Sequence, residues 1–305
     1  MEVLLLGIGG MMPMPGRWLT SAVVLLEGRA TMFDCGEGTQ VALKKSGFGV
    51  GRIERFVMSH LHGDHLLGLP GMLMLMTQAE IEQEVEIVGP PDVTRWARGN
   101  RDLLRFYLNY SLRYTDLEAD GGEIKTDSFT LQYLPLKHST TTYGFALIEN
   151  ERPGKFSLAK ARELGVPEGP LFGALQRGES VRVGDREIKP EDVLGPARRG
   201  RKIAYATDTA PCKNVYRLLK DADFAVIEAM FLNEEEQDAA EKRHLTAKQA
   251  GRIVRESGCR RAVIAHVSPR YRWEDLQTLE TQAREDCDAI ELGKPLERYA
   301  VPLPD

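Results

Sequence analysis

The six residues His60-Leu61-His62-Gly63-Asp64-His65 put three imidazoles and a carboxylate on a stretch of backbone too short to form a core of its own. Side chains of these types converge on one point only if something there binds them, and a metal ion is the natural occupant. The bland alternative is a polar surface loop. The other three of the chain's six histidines, His138, His244 and His266, each fall at or near the end of an expected strand or the start of an expected helix. Asp208, in Tyr205-Ala206-Thr207-Asp208-Thr209, ends a strand in the same way. Strand ends on one edge of an α/β sheet converge in space, which is where open sheets place their sites. These residues provide enough ligands for two ions: His60, His62 and His138 for one, Asp64, His65 and His266 for the other, with Asp208 bridging. Imidazole and carboxylate donors suit Zn²⁺ best, with Mn²⁺ as the alternative. Two ions roughly 3.5–4 Å apart clamp the attacking and leaving oxygens of a displacement and lower the pKa of bound water from about 15.7 to about 7, so the implied chemistry is hydrolysis. His244 is not needed as a ligand. It could give a proton to the leaving oxygen, with Glu228 orienting it if the two chain segments meet.

The elements that must position these groups follow from periodicity. Residues 53–59 hold a short apolar run that reads as a buried strand, and residues 66–76 an apolar helix, so the histidine cluster sits in a loop at a strand's carboxyl end. Before it come a first strand at 1–7, a hairpin turning at Glu27-Gly28-Arg29, and the turn Asp34-Cys35-Gly36-Glu37-Gly38-Thr39, which opens a helix at 40–45. Asp34 could support the metal loop from behind. After it, 85–88 is a strand, 91–110 a long helix with proline at its start, and 129–136 and 143–148 are strands. Alternation returns with strands at 202–206, 223–228 and 261–265. Helices are expected at 213–220, 245–257, where Thr246 is a candidate cap, and 272–284. Short strands alternating with helices make the class α/β. Between 151 and 200 the pattern dissolves into prolines and glycines, and this stretch is expected to be a structureless protruding arm.

At 305 residues with 42% hydrophobic side chains the chain can bury a substantial core, and no apolar run is long enough for a membrane span. Cys35, Cys212, Cys259 and Cys287 lack zinc-knuckle or disulfide-framework spacing, which fits a reducing cytoplasm. The net charge of -5 argues against a uniformly basic nucleic-acid-binding surface. Its distribution is uneven, however: residues 151–202 hold 12 Lys+Arg and 8 Asp+Glu, a balance of +4, which leaves 28 minus 37, or -9, for the rest. Such a basic segment on an acidic body suits contact with phosphates.

With these residues laid out, the chain resembles the metallo-β-lactamase superfamily and, within it, the ribonuclease Z family of transfer RNA 3′-processing endonucleases. The HxHxDH motif at 60–65 points to the superfamily. The narrower resemblance rests on Phe33-Asp34-Cys35-Gly36-Glu37-Gly38-Thr39-Gln40, Glu228-Ala229-Met230-Phe231, His244-Leu245-Thr246-Ala247 and His266-Val267-Ser268-Pro269-Arg270-Tyr271. Gly165-Val166-Pro167-Glu168-Gly169-Pro170-Leu171, continuing to Leu175 and Gly178, resembles that family's exosite, which grips transfer RNA. The chain departs from the family pattern at Thr207, where glycine is usual, at Trp18, where asparagine commonly follows the arginine, and after His138, where Ser139-Thr140-Thr141-Thr142-Tyr143 replaces the more usual sequence. The resemblance implies a single αββα four-layer sandwich over 1–305 with an inserted exosite arm at 154–196, a homodimer, and two Zn²⁺ per subunit. The implied substrate is precursor tRNA, cut to leave a 3′-hydroxyl on the tRNA and a 5′-phosphate on the trailer. Asp64 would accept or position the water proton and His244 would protonate the departing 3′ oxygen. A small-molecule hydrolase of thioesterase or lactamase type, which would have no need of a basic arm, and a nonenzymatic RNA-binding protein are the competing classes.

Overall fold

The structure, a computed structural model, describes residues 1–304. They form two compact units, one comprising Met1–Ile148 and Arg201–Pro302, the other Glu149–Gly200 with Leu303 and Pro304.

The first unit begins with β1 (Glu2–Gly7), β2 (Ser21–Leu26), β3 (Arg29–Phe33), α1 (Thr39–Ser46), β4 (Ile53–Val57), α2 (Gly63–Leu66), α3 (Leu69–Gln78), β5 (Val85–Gly89), α4 (Pro91–Leu104) and β6 (Leu112–Asp116). Then come β7 (Gly122–Lys125), β8 (Phe129–Pro135) and β9 (Tyr143–Glu149). The second unit supplies α5 (Leu158–Glu163), α6 (Pro170–Gln176), β10 (Val181–Val183), β11 (Arg186–Ile188) and α7 (Pro190–Val193). The first unit resumes with β12 (Lys202–Ala206), α8 (Lys213–Leu219), β13 (Phe224–Glu228), α9 (Glu236–Lys242), α10 (Ala247–Glu256), β14 (Ala262–Ala265), α11 (Trp273–Arg284), β15 (Ile290–Leu292) and β16 (Arg298–Ala300).

Two seven-stranded sheets result, ordered β16-β1-β2-β3-β4-β5-β6 and β15-β14-β13-β12-β9-β8-β7. Each is mixed, with parallel pairing from β3 to β6 in one and from β12 to β15 in the other. Strands covered on both faces read as continuous apolar runs, and β1 shows why. Val3 and Leu5 pack into the cluster that includes Phe145, Tyr205 and Ile227 of the opposite sheet. Leu4 and Leu6 point the other way, onto Leu43, Met72 and Met76 of α1 and α3. Phe33 stacks on Tyr205 with ring centroids 5.1 Å apart, joining the two sheets directly. Helices α8, α10 and α11 cover the far side of the second sheet, which completes a four-layer αββα sandwich. Each fully buried side chain of this size contributes roughly 1.5–3 kcal/mol.

Three sequence expectations change. The helix expected at 66–76 is two, because the chain breaks at Leu67-Gly68 so that His65 belongs to α2 and the Met72 and Met76 face belongs to α3. The helix expected at 91–110 stops at Leu104, where Arg105 takes a left-handed conformation at φ 48°. Residues 151–200 are not structureless. Ser157 caps α5 by accepting from the Lys160 amide, and β10 and β11 form a hairpin. Ala161, Val166, Leu175, Val181, Ile188 and Val193 close a small core of their own. Those apolar residues are spaced too irregularly to register in any helical or strand window.

One buried carboxylate in the first sheet carries a stability prediction. Glu86, 2% exposed on β5, accepts from Arg55 Nε at 2.5 Å, Arg113 Nη1 at 2.7 Å and Thr115 Oγ1 at 2.6 Å. Burial opposes its charge, but the Thr115 hydroxyl and the two guanidiniums outweigh burial and hold it below the usual glutamate value. A carboxyl depressed in the fold stabilises fully above its unfolded pKa of about 4.3 and loses that stabilisation as pH falls. Glu86→Gln should therefore cost about 2 kcal/mol at pH 7, the exposed side of Arg113 holding the value down. Urea denaturation at pH 7 and pH 3 checks this: the gap between wild type and variant should narrow in acid.

Candidate metal centre

The side chains singled out in the sequence come from loops at the carboxyl ends of strands, all within the first unit. Asp34 follows β3, His60 to His65 follow β4, His138 follows β8, Asp208 follows β12, and Glu228 ends β13. His266 follows β14, and His244 lies between α9 and α10. Asp34, Asp208 and His266 leave their strands with φ of 52°, 52° and 54°. This left-handed turn is costly for most residues but relatively accessible to Asp, Asn and His. It turns each side chain sharply out of its strand's direction.

Asp208 lies at the centre. Its Oδ2 is 3.6 Å from His60 Nε2 and 3.6 Å from His138 Nε2, while its Oδ1 is 3.2 Å from both His65 Nε2 and His266 Nε2. On the first side, His62 Nδ1 faces His138 Nε2 at 3.3 Å. On the second, Asp64 Oδ2 is 3.3 Å from His266 Nε2 and 3.6 Å from His65 Nε2. The donor atoms of His60, His62, His138 and Asp208 lie within 4.8 Å of one another, as do those of Asp64, His65 and His266. All seven sequence-predicted ligand residues therefore come together, in the two groups expected, with one Asp208 oxygen toward each.

The residues fit a cation, because the nitrogens of His60, His65 and His138 turned away from the centre are already occupied, although His266 Nδ1 is not. His65 Nδ1 donates to Asp34 Oδ2 at 2.8 Å, His60 Nδ1 to Ser59 Oγ at 2.9 Å, and His138 Nδ1 to the Arg243 carbonyl at 3.2 Å. Those tautomers leave the Nε2 lone pairs of His60 and His138 pointing inward, while against burial the Asp208 and Asp34 carboxylates raise His65 well above the ordinary histidine value, so that a cation there would displace its Nε2 proton. His60 Nε2, wholly buried, has no hydrogen-bond partner, and neither has Asp208 Oδ1. Buried atoms left this way are costly unless something binds them. Burial, reinforced by the neighbouring imidazoles, holds His60 well below the ordinary histidine value, and burial also lowers His62 and His138. These rings are thus in the neutral form that ligates.

Tyr205 and Arg243 are parts of this frame that sequence reading missed. Asp34 Oδ1 accepts from the Ser59 amide at 2.7 Å, and its Oδ2 accepts from Ser59 Oγ at 2.8 Å and Tyr205 OH at 2.9 Å. Arg243 donates from Nη1 to the His138 carbonyl at 2.6 Å, which ties the two segments together reciprocally. The Met11 amide donates to Asp64 Oδ2 at 2.7 Å. The only available signal was position: Tyr205 alternates with Ala206 at the end of β12, and Arg243 precedes His244. Two close approaches need glycine. A Cβ on Gly10 would come within 2.8 Å of the His266 ring, and one on Gly68 within 2.0 Å of the Gly36 carbonyl. Among the departures from the family pattern, Thr207 is wholly buried with its hydroxyl unpartnered, and Trp18 is half-buried beneath the Lys45 ammonium at 5.7 Å.

Beside the ligands sits a histidine–glutamate pair. His244 Nδ1 lies 3.1 Å from Glu228 Oε1 and 3.3 Å from Oε2. Glu228, fully buried, also accepts from the Thr209 amide at 2.5 Å and the Leu245 amide at 3.0 Å. Burial works against a charge on His244, but Glu228 overcomes it and raises the imidazole to about 9. The His244 ring is 4.9 Å from that of His138 and stacks 5.4 Å from that of His266. It is protonated at neutral pH and adjacent to both ligand groups.

Among known proteins, a family model described as anti-Pycsar protein Apyc1 matches residues 1–152, and one for the beta-lactamase superfamily domain matches residues 171–267. Ribonuclease Z of Treponema denticola is 41% identical over 286 residues, 93% of each chain. Ribonuclease Z of Methanosarcina acetivorans is 33% identical over 99% of this chain and 98% of its own. The crystal structure of the short form of human tRNase Z shares the fold, with a TM-score of 0.71 and 23% identity over 99% of this chain and 100% of that one.

Proposed function

The chain belongs to the ribonuclease Z family, and from that premise we propose how its residues divide the work of removing the 3′ trailer from precursor tRNA. One observation carries the reading. A protonated imidazole braced by a buried carboxylate stands directly beside two groups of inward-facing ligand atoms. His60, His62, His138 and Asp208 would hold one divalent cation and Asp64, His65, His266 and Asp208 a second, zinc being the best match to these donors and manganese the alternative. When bound, such ions stabilise charge on the scissile phosphate and acidify water. Asp64 positions the attacking water and accepts its proton as the new phosphorus–oxygen bond forms. The bond from phosphorus to the tRNA 3′ oxygen breaks, and His244 gives that oxygen its proton. The products are a tRNA 3′-hydroxyl and a trailer 5′-phosphate, and Glu228 keeps His244 charged and aimed through its Nδ1.

The second unit contains none of these residues, and its role is to bind the tRNA. The exosite-like stretch 165–178 supports this. A homodimer is the assembly proposed. The support is an exposed groove of about 580 Å³ between α1 and α3, lined by Val41 and Met74, which are 45% and 41% exposed. The four free cysteines suit a reducing compartment such as the cytoplasm. Among the described residues no helix is long and apolar enough to cross a membrane.

The test is cleavage of a 3′-extended precursor tRNA with and without chelator, with elemental analysis identifying the metal. Deleting residues 154–196 should spare hydrolysis of a small phosphodiester and severely weaken precursor cleavage. Mixing that deletion with full-length Asp64→Ala subunits should restore cutting if the unit serves the partner's site. No recovery in demonstrated heterodimers would assign it to its own subunit.

A further inference from the structure

The flank of α4 beside the edge strand β6 carries charge that the active site does not use. Residues 91–114 hold five arginines against Asp92 and Asp102, a balance of +3 in a chain of net charge -5. Arg95 is paired with Asp92 at 2.6 Å. Arg98, Arg101 and Arg105 are exposed, and among the described residues no carboxylate lies within ion-pair distance of any of them. Their spacing of three and four residues puts them within about 60° of one another around the helix. The Arg98 guanidinium lies 4.1 Å from the centroid of the Tyr114 ring on β6, which holds it along this flank. The left-handed turn at Arg105 then swings Tyr107 outward, leaving it 77% exposed, while its backbone carbonyl accepts from Thr77 Oγ1 at 3.5 Å. A fixed backbone presenting an exposed aromatic ring close in the chain to guanidiniums without a carboxylate partner, two of them held by Tyr114, is the combination that holds single-stranded nucleic acid, with phosphates on the charges and a base on the ring.

Placement gives the occupant. The Met58 amide donates to the Val88 carbonyl at 2.8 Å, so the end of β5 and the first turn of α4 lie on the same sheet edge as His60 to His65. From there α4 runs away from the site for about 21 Å. We infer that this flank, through Arg98, Arg101, Arg105 and Tyr107, binds the single-stranded 3′ trailer as it leaves the site and makes the enzyme favour long trailers over short ones. The inference rests on the proposed trailer-removal reaction.

The experiment compares kcat/KM for two precursors with the same tRNA body, one with a trailer of a few nucleotides and one with a trailer several times longer. It uses the full-length wild type and an Arg98→Gln/Arg101→Gln/Arg105→Gln variant, with Tyr107→Ala tested separately. In wild type the long-to-short ratio should exceed one and fall by roughly twentyfold between 50 and 200 mM salt, as expected for three single-strand phosphate contacts. In the triple variant the ratio should be near one and insensitive to salt, and Tyr107→Ala should lower it without changing the salt slope. A ratio unchanged in the variants overturns the inference, and so does an equal loss on both precursors. An unchanged ratio together with dissociation of a dimer in Leu103→Ser/Tyr107→Ser would assign the face to a second copy of the chain instead. If wild type cuts neither precursor, it is the proposed reaction that fails. Fluorescence anisotropy with a trailer oligonucleotide then still decides: binding to wild type and not to the triple variant supports the inference, and equal binding overturns it.

Discussion

Asp64→Ala should leave a folded protein whose precursor cleavage falls by roughly 10⁴-fold or more, because one side chain is asked to do two jobs. Its Oδ2 lies 3.3 Å from His266 Nε2 and 3.6 Å from His65 Nε2, so its removal takes a ligand atom from the second group. The same carboxylate is the proposed water-positioning base. Two surrounding groups, His266 first by hydrogen bond and His65 by charge, outweigh burial and keep it ionised far into the acid range. The fold should survive, since the one amide partner of Asp64, Met11, lies in an exposed turn that water can serve, although the Asp64 side chain itself is only 12% exposed. Circular dichroism together with elemental analysis and single-turnover kinetics checks this. Near-normal turnover with full metal content would remove Asp64 from both roles.

His244→Ala should separate the proton donor from the ligands. The seven other residues already form both ligand groups, so the variant should keep its metal and cut about 10²–10⁴-fold more slowly. Loss of a metal equivalent would instead make His244 a ligand, an outcome its proximity to Asp208 and His266 makes worth measuring. The pH profile gives a second readout. With the imidazole raised to about 9, the acid form predominates through neutrality, and the rate should fall only as pH rises through that region. Glu228→Gln removes the charge that overcomes burial, so the fall should move to lower pH, below the ordinary histidine value of about 6.5. His244→Ala should lose this limb altogether. A profile unchanged by Glu228→Gln would show that the pair does not set it.

The HxHxDH cluster was legible because its three imidazoles and carboxylate lie within six residues on a short stretch of chain, where spacing alone forces convergence. His138, Asp208 and His266 were legible for a related reason: alternation marks where strands end, and the ends of neighbouring strands meet. Most strands and helices of the first unit, including α10 with Thr246 as its cap, were present in local periodicity, whereas the short strands β6, β7, β15 and β16 were not read. The second unit's small core was not, since Val166, Leu175, Val181, Ile188 and Val193 are brought together only when the chain folds back on itself. Tertiary structure also decided how the ligands are held. Asp34 gathers Ser59, His65 and Tyr205, the last from 171 positions away in the chain, and Arg243 reaches His138 across 105. No sequence window contains both members of such a pair, because the order in which strands assemble into two sheets is set by the packing of faces that are each merely apolar. Residue types and their spacing therefore determined which atoms could bind a cation, while the sheet order and three left-handed strand exits determined that those atoms face one another.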